Sequence, residues 1–155
     1  MQKLTPFLWF DSEAEEAVHF YTSVFKNSKL GNVMRYDAAA AEASGMPEGS
    51  VLTIEFELEG LSFTALNGGP SLKFSGAVSF VIAYDSQDEI DYYWDKLSED
   101  GETGQCGWIN RDKFGITWQV IPKNLPELIS NPKSMKAMLG MTKLDIIALQ
   151  TAASE

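Results

Sequence analysis

Cys106-Gly107-Trp108-Ile109-Asn110-Arg111-Asp112-Lys113-Phe114-Gly115-Ile116-Thr117-Trp118-Gln119-Val120-Ile121-Pro122 reads as a strand, a tight turn and a second strand. Asp112-Lys113-Phe114-Gly115 has the chemistry of a turn, with Asp at its first position and Gly at its fourth. Beyond it Ile116, Trp118 and Val120 alternate with Thr117, Gln119 and Ile121, a period of two that Pro122 stops. A strand of this kind packs one face on a core and presents the other. Trp118 falls on the core parity. Gln119 falls on the opposite one, and its face is expected to look into a small-molecule cavity.

Outward from this hairpin the chain repeats itself. Leu4 to Phe10 reads as a strand with Pro6 near its start. Asp11 or Ser12 is expected to cap a helix that buries Ala14, Ala17, Val18, Tyr21, Val24 and Phe25 at helical spacing and ends near Lys26-Asn27. Leu30 to Tyr36 reads as a second strand. Residues 38–49 are an excursion in which Ala38 to Ser44 has the composition of a helical turn and Gly45, Pro47 and Gly49 break it. From Val51 to Glu59, Leu52, Ile54, Phe56 and Leu58 face one way and Thr53, Glu55, Glu57 and Glu59 the other. Gly60 turns the chain into Leu61 to Leu66.

Asn67-Gly68-Gly69-Pro70-Ser71 is the strongest loop signal in the chain, and beyond it the pattern restarts. Ala77 to Tyr84 is a strand. Asp85-Ser86 caps a helix carrying Ile90, Tyr93, Trp94 and Leu97 that ends near Gly101, and Glu102 to Trp108 and Gly115 to Ile121 supply further strands. The order implies an α+β fold of two βαβββ modules, residues 1–66 and 77–122, joined by residues 67–76 and followed by a helical tail over residues 123–155. Aligning the last strand of each module sets Phe63 against Trp118 and Thr64 against Gln119. The tail is expected to hold short helices over Leu125 to Ile129 and from Asn131-Pro132 to Gly140, then a last turn capped by Asp145. Short apolar helices need a surface, from their own domain or from a second subunit.

The balance of 12 Lys and Arg against 22 Asp and Glu, a net charge of −10, argues against nucleic acid and against anionic membranes as partners. A hydrophobic share of 45% supports a real core. Cys106 is the only cysteine, which excludes an intramolecular disulfide and a cysteine-built zinc site and suits the cytoplasm. No apolar run reaches ~18 residues, so neither export nor a membrane span is expected.

Several segments together resemble a known family. The duplicated order is similar to the vicinal oxygen chelate superfamily of glyoxalase I, bleomycin-resistance proteins and extradiol dioxygenases. Thr5-Pro6-Phe7-Leu8-Trp9-Phe10, Glu15-Glu16-Ala17 before Phe20-Tyr21, Ala65-Leu66-Asn67-Gly68-Gly69-Pro70, Cys106-Gly107-Trp108 with Asp112 to Gln119, and Lys143-Leu144-Asp145-Ile146 resemble its PhnB-like branch, labelled "3-demethylubiquinone-9 3-methyltransferase". The resemblance implies modules that curl into cup-shaped mixed sheets, and a homodimer. The label's methyl transfer is not expected, because no Gly-rich strand-to-helix turn followed by an acidic residue is present for a Rossmann-like cofactor site.

The superfamily's enzymes hold a divalent metal with His and Glu from the first and last strand of each module. The matching positions here are Thr5, Thr64, Ala77 or Ser79, and Gln119, a poor donor set for such an ion, so neither a metal nor another cofactor is expected. His19, the only histidine, has no second imidazole to share a metal with and sits where a Ser-His-Asp or Cys-His arrangement cannot form without leaving its helix. Cys106 is read as a buried structural cysteine. By parity Phe7 and Trp9 face the cup while Leu8 and Phe10 pack on the helix. The expected ligand pocket is Thr5, Phe7, Trp9, Glu55, Thr64, Ser79, Trp108 and Gln119. Glu55 is either a solvent-facing charge or, if desolvated beside Gln119 and Trp9, a candidate catalytic base. Three readings follow: a metal-independent protein that binds a small, partly aromatic molecule; an enzyme, metal-assisted or using Glu55; or a structural or regulatory dimer with a vestigial cavity.

Overall fold

In the computed structural model, which describes residues 2–155, each half of the chain builds a four-stranded mixed sheet with one long helix against it. The halves form two units, one ending at Phe74 and the other running from Ser75 to Glu155.

The first unit contains β1 (Phe7–Phe10), α1 (Ala14–Val24), β2 (Ser28–Arg35), α2 (Ala38–Ser44), β3 (Val51–Leu58) and β4 (Leu61–Asn67), with strand order β1-β4-β3-β2. β1 runs parallel to β4, and the other pairs are antiparallel. Ile54, Phe56 and Leu58 of β3 are buried together with Phe63 and Ala65 of β4 and the α1 stripe Ala14, Ala17, Val18, Tyr21 and Val24. Tyr21 stacks on Phe56 at 6.4 Å and Phe56 on Phe63 at 5.2 Å. Each such side chain contributes about 1.5–3 kcal/mol on leaving water.

The second unit contains β5 (Ser79–Tyr84), α3 (Gln87–Ser98), β6 (Glu102–Thr103), β7 (Trp108–Arg111), β8 (Thr117–Pro122), α4 (Leu125–Leu128), α5 (Pro132–Leu139) and α6 (Ile146–Ser154), with strand order β5-β8-β7-β6. The two orders correspond strand for strand, so the chain has the α+β fold of two βαβββ modules with C-terminal helices. Asp112 organises the turn between β7 and β8. Its Oδ1 accepts the Phe114 and Ile116 N–H groups at 2.8 and 3.0 Å, and its Oδ2 accepts the Trp118 indole N–H at 2.8 Å. A buried carboxylate, 2% exposed, thereby ties the turn to the core face that Trp118 occupies.

Several elements differ from their sequence reading. β1 starts at Phe7 and not at Leu4, although the Pro6 carbonyl still accepts the Thr64 N–H. α1 is capped by neither Asp11 nor Ser12; its cap position is Glu13, and Asn67 Oδ1 accepts the Ala14 N–H from β4. α1 ends at Val24, two residues early, and β2 begins at once at Ser28. The excursion at 38–44 is a formed helix, because the Asp37 side chain accepts the Ala40 N–H and Gly45 closes it at φ +77°. Glu59 belongs to the turn and not to β3: Glu59 and Gly60 both have positive φ, the geometry of a two-residue hairpin loop. Glu102 to Trp108 is a hairpin, not a single strand, since Cys106 and Gly107 take φ of +59° and +84° and reverse the chain between β6 and β7. Cys106 itself is half-buried, not buried. The last tail element is a nine-residue helix and not a single turn.

The surface that the tail lies on is its own unit. The Cys106 and Gly107 N–H groups donate to the Met141 and Thr142 carbonyls. Leu144 is fully buried beside Gly107. The Gln87 amide grips the tail twice, donating to the Leu144 carbonyl at 3.0 Å and accepting the Ile146 N–H at 2.9 Å. Lys143 pairs with Asp91 on the next turn of α3 at 2.8 Å. Among the described residues no helix is long and apolar enough to cross a membrane.

Candidate functional site

Strand register decides which side chains share the face opposite the helix, because direct cross-strand partners project to the same side. In the first unit Phe7 pairs with Thr64 and Thr64 with Glu55, so ring, hydroxyl and carboxylate form one row across β1, β4 and β3. The neighbouring row is Ser62, Glu57 and Lys29. Gln2 closes that end, its amide donating to the Ser62 carbonyl and accepting the Ser62 N–H. Between these rows lies a hollow of about 580 Å³ whose wall includes Thr5, Lys29, Glu55, Glu57, Ser62 and Thr64. Phe56 and Phe63 also border it, but their rings are buried on the core side. The pairing of β2 with β3 shifts register between Leu30 and Val33, and this irregularity presses Gly31 onto Glu55. A Cβ on Gly31 would stand 3.0 Å from both the Glu55 Cβ and its carbonyl oxygen, tighter than ordinary contact, so the close approach favours glycine.

In the second unit the equivalent row is Val81, Gln119 and Trp108. Gln119 Nε2 donates to Ser79 Oγ at 3.0 Å, and Thr117 Oγ1 donates to the Asn110 carbonyl at 2.7 Å. This face is neutral: an indole, two amides and two hydroxyls. A smaller hollow of about 370 Å³ is bordered by Trp108, Asn110, Thr117 and the Glu102–Arg111 ion pair. Under the duplication Gln119 stands where Thr64 does, as the sequence alignment of the last strands has it, and Trp108 stands where Glu55 does.

The eight expected pocket residues lie on both units. Thr5, Glu55 and Thr64 border the first unit's hollow. Phe7 stands in register with Thr64, 58% exposed. Ser79, Trp108 and Gln119 share the second unit's face. Trp9 belongs to neither set: its indole donates to the Gly69 carbonyl at 2.9 Å and lies so close over Gly68 that a Cβ there would stand 2.4 Å from the ring. It covers the loop after β4. The wall of the first unit's hollow carries hydroxyls, an amide and charges, with Leu30, Phe56 and Phe63 also at its border. Glu55, read either as a solvent-facing charge or as a base beside Gln119 and Trp9, has Thr64 as its cross-strand partner with Phe7 next in that row, and it is exposed. Lys29, Ser62 and Gln2 were not expected at the hollow. Glu57 shares the parity of Glu55, but Lys29 joins it only through the β2–β3 register.

The positions that the resemblance matches to the superfamily's metal ligands, Thr5, Thr64, Ala77 or Ser79, and Gln119, carry hydroxyls, an amide or, at Ala77, a methyl group. Ser79 and Gln119 are hydrogen-bonded to each other, and Thr5 and Thr64 bring no charge, so these residues do not fit a divalent cation. Among the described residues no three His, Cys, Asp or Glu side chains group in a way that could hold one. His19 is exposed on α1.

The family described as 3-demethylubiquinone-9 3-methyltransferase matches residues 2–121 of this chain. A PhnB protein from Bacillus cereus with the same family description is 33% identical, with a TM-score of 0.67 over 77% of this chain and 99% of that one. A Pseudomonas aeruginosa protein at 18% identity shares the fold, with a TM-score of 0.61 over 79% of this chain and 98% of its own. So does a glyoxylase/bleomycin resistance protein/dioxygenase domain from Frankia, at 14% identity and a TM-score of 0.51, over 80% of this chain and 94% of its own. No curated protein matches the sequence. With its matched span covering most of the chain, this protein belongs to the 3-demethylubiquinone-9 3-methyltransferase, or PhnB-like, family.

Proposed function

We propose that this PhnB-like protein binds a small, partly aromatic molecule on the open strand face of its first unit, without the superfamily's metal. The observation that carries this reading is the hollow of about 580 Å³ with Glu55, Thr64 and Thr5 on its wall and the exposed Phe7 ring in register beside them. A concave surface with a few convergent polar groups and an apolar neighbour is the usual form of a small-molecule site. The donor set at the metal positions supports binding over metal-assisted catalysis. Methyl transfer, which the family description names, needs a seat for its donor, and the sequence offers no Gly-rich strand-to-helix turn for one. Glu55 as a base has less support, since the face leaves it exposed.

The test is a titration of protein dialysed against EDTA with tyramine, 4-ethylphenol and 4-hydroxyphenylacetate, read by thermal shift and by amide chemical shifts. A raised melting temperature with amide shifts at Thr5, Glu55 and Thr64 is expected for at least one of the three. Stabilisation by zinc or manganese alone, with none of the three perturbing that face, overturns the reading. A homodimer in the cytoplasm belongs to the same proposal. The edge strand β2, which exposes Leu30, Val33 and Met34, supports self-association, and a monomer by light scattering at micromolar concentration would remove that part.

A further inference from the structure

We infer that the ligand of the first unit's face is an aromatic amine, its ring against Phe7 and its ammonium against Glu55. This rests on the binding reading above and assigns the ligand's charge and its orientation. The row Phe7, Thr64, Glu55 sets an exposed ring and a carboxylate two strands apart with a small hydroxyl between them. Adjacent strands lie about 4.8 Å apart, so the outer two are about 10 Å apart, a span that an aromatic ring with a short amine arm covers. Thr64 is small enough to lie beneath such a molecule, and its hydroxyl can both give and accept a hydrogen bond.

Charge decides between an amine and an acid. The hollow's wall carries two carboxylates, Glu55 and Glu57, and one ammonium, Lys29. Lys29 stands in register with Glu57, so the carboxylate left without a cation across the strands is Glu55. Among the described residues neither Glu55 nor Glu57 is engaged in an ion pair or a side-chain hydrogen bond, which leaves the Glu55 oxygens available to a ligand. An anionic ligand would meet an excess of negative charge in the hollow and approach a chain of net charge −10. The second unit's equivalent row has Trp108 in place of the carboxylate, so the charge selectivity belongs to the first unit alone.

The experiment compares tyramine, 4-ethylphenol and 4-hydroxyphenylacetate, which share a phenol ring and differ in charge, by amide chemical-shift titration at pH 7. The expected affinity order is tyramine, then 4-ethylphenol, then 4-hydroxyphenylacetate. Glu55→Gln should weaken tyramine tenfold or more and leave 4-ethylphenol unchanged, Glu55→Asp should retain part of the tyramine affinity, and Phe7→Ala should weaken both. Glu55 and Phe7 are exposed, so the variants should melt as the parent does. Binding of 4-ethylphenol or 4-hydroxyphenylacetate as tightly as tyramine, or tyramine binding untouched by Glu55→Gln, overturns the amine assignment and leaves the binding reading standing. No amide shift at this face with any of the three overturns both.

Discussion

Asn67 caps a helix from 53 residues away: its Oδ1 accepts the Ala14 N–H at 2.8 Å, while its Nδ2 donates to the Val51 carbonyl at 3.1 Å. The same residue's backbone carbonyl accepts the Tyr36 hydroxyl. The end of β4 thus holds together the start of α1, the start of β3 and the end of β2. The second unit solves the same problem locally, with Ser86 and Glu89 forming a reciprocal capping box on α3.

This difference sets the first expectation. Asn67→Ala leaves a buried donor and a buried acceptor unpaired and should cost about 2–4 kcal/mol. Ser86→Ala removes one exposed cap and should cost about 1 kcal/mol. Urea denaturation of the two variants checks the ranking, and equal losses would contradict the assignment.

Gly68→Ala should cost about 1–3 kcal/mol through overpacking, because the new Cβ would meet the Trp9 ring at 2.4 Å. Trp9→Leu in the same chain should recover part of that loss. A double-mutant cycle measured by thermal unfolding reads the coupling, and strictly additive effects would show that the indole does not rest on this loop.

Asp112→Ala removes the acceptor for two backbone N–H groups and for the Trp118 indole, and should cost about 3 kcal/mol or more. Asp112→Asn keeps an acceptor for the turn but places an amide near the indole, so its loss should fall between the parent and the Ala variant. Chemical denaturation followed by near-ultraviolet circular dichroism reports both stability and the environment of Trp118.

Asp91 makes a pH-dependent contribution. The hydrogen bond from Lys143 first, and that from Gln87 second, hold its carboxyl below the usual aspartate value. A depressed carboxylate stabilises the fold above its unfolded value of about 3.9, and that gain is lost as pH falls through the lower folded value. The pair is 38% and 39% exposed, so the effect should stay below about 1 kcal/mol. Unfolding free energies measured from pH 7 to pH 3 should show Asp91→Asn less stable near neutrality and converging on the parent in acid. A gap that persists unchanged at pH 3 would assign the loss to packing and not to charge.

Most of the architecture was legible in the chain. The alternation through Ile54, Phe56 and Leu58, the helical stripe from Ala14 to Val24 and the turn chemistry at Asp112 each act over a few neighbouring residues, where periodicity carries the signal. The duplication was legible for the same reason, and with it the equivalence of Thr64 and Gln119. The site was legible only in part. Parity told that Glu55 and Glu57 share a face, but Lys29 reaches their hollow through its pairing with Glu57, a cross-strand register that no local pattern announces. Trp9 lies over Gly68, a contact set by the loop's course and not by the strand's period.

What the amino-acid sequence determined by itself, then, is the two-module α+β fold and the family. Those follow from local periodicity, turn residues and residue identity. Tertiary structure alone decided that Asn67 caps α1, that the tail lies on its own unit through Gln87 and Leu144, and that Phe7, Thr64 and Glu55 form one row. The physical reason is that caps across the fold, register and close backbone approaches depend on which strands become neighbours, and that choice is made by the whole core at once.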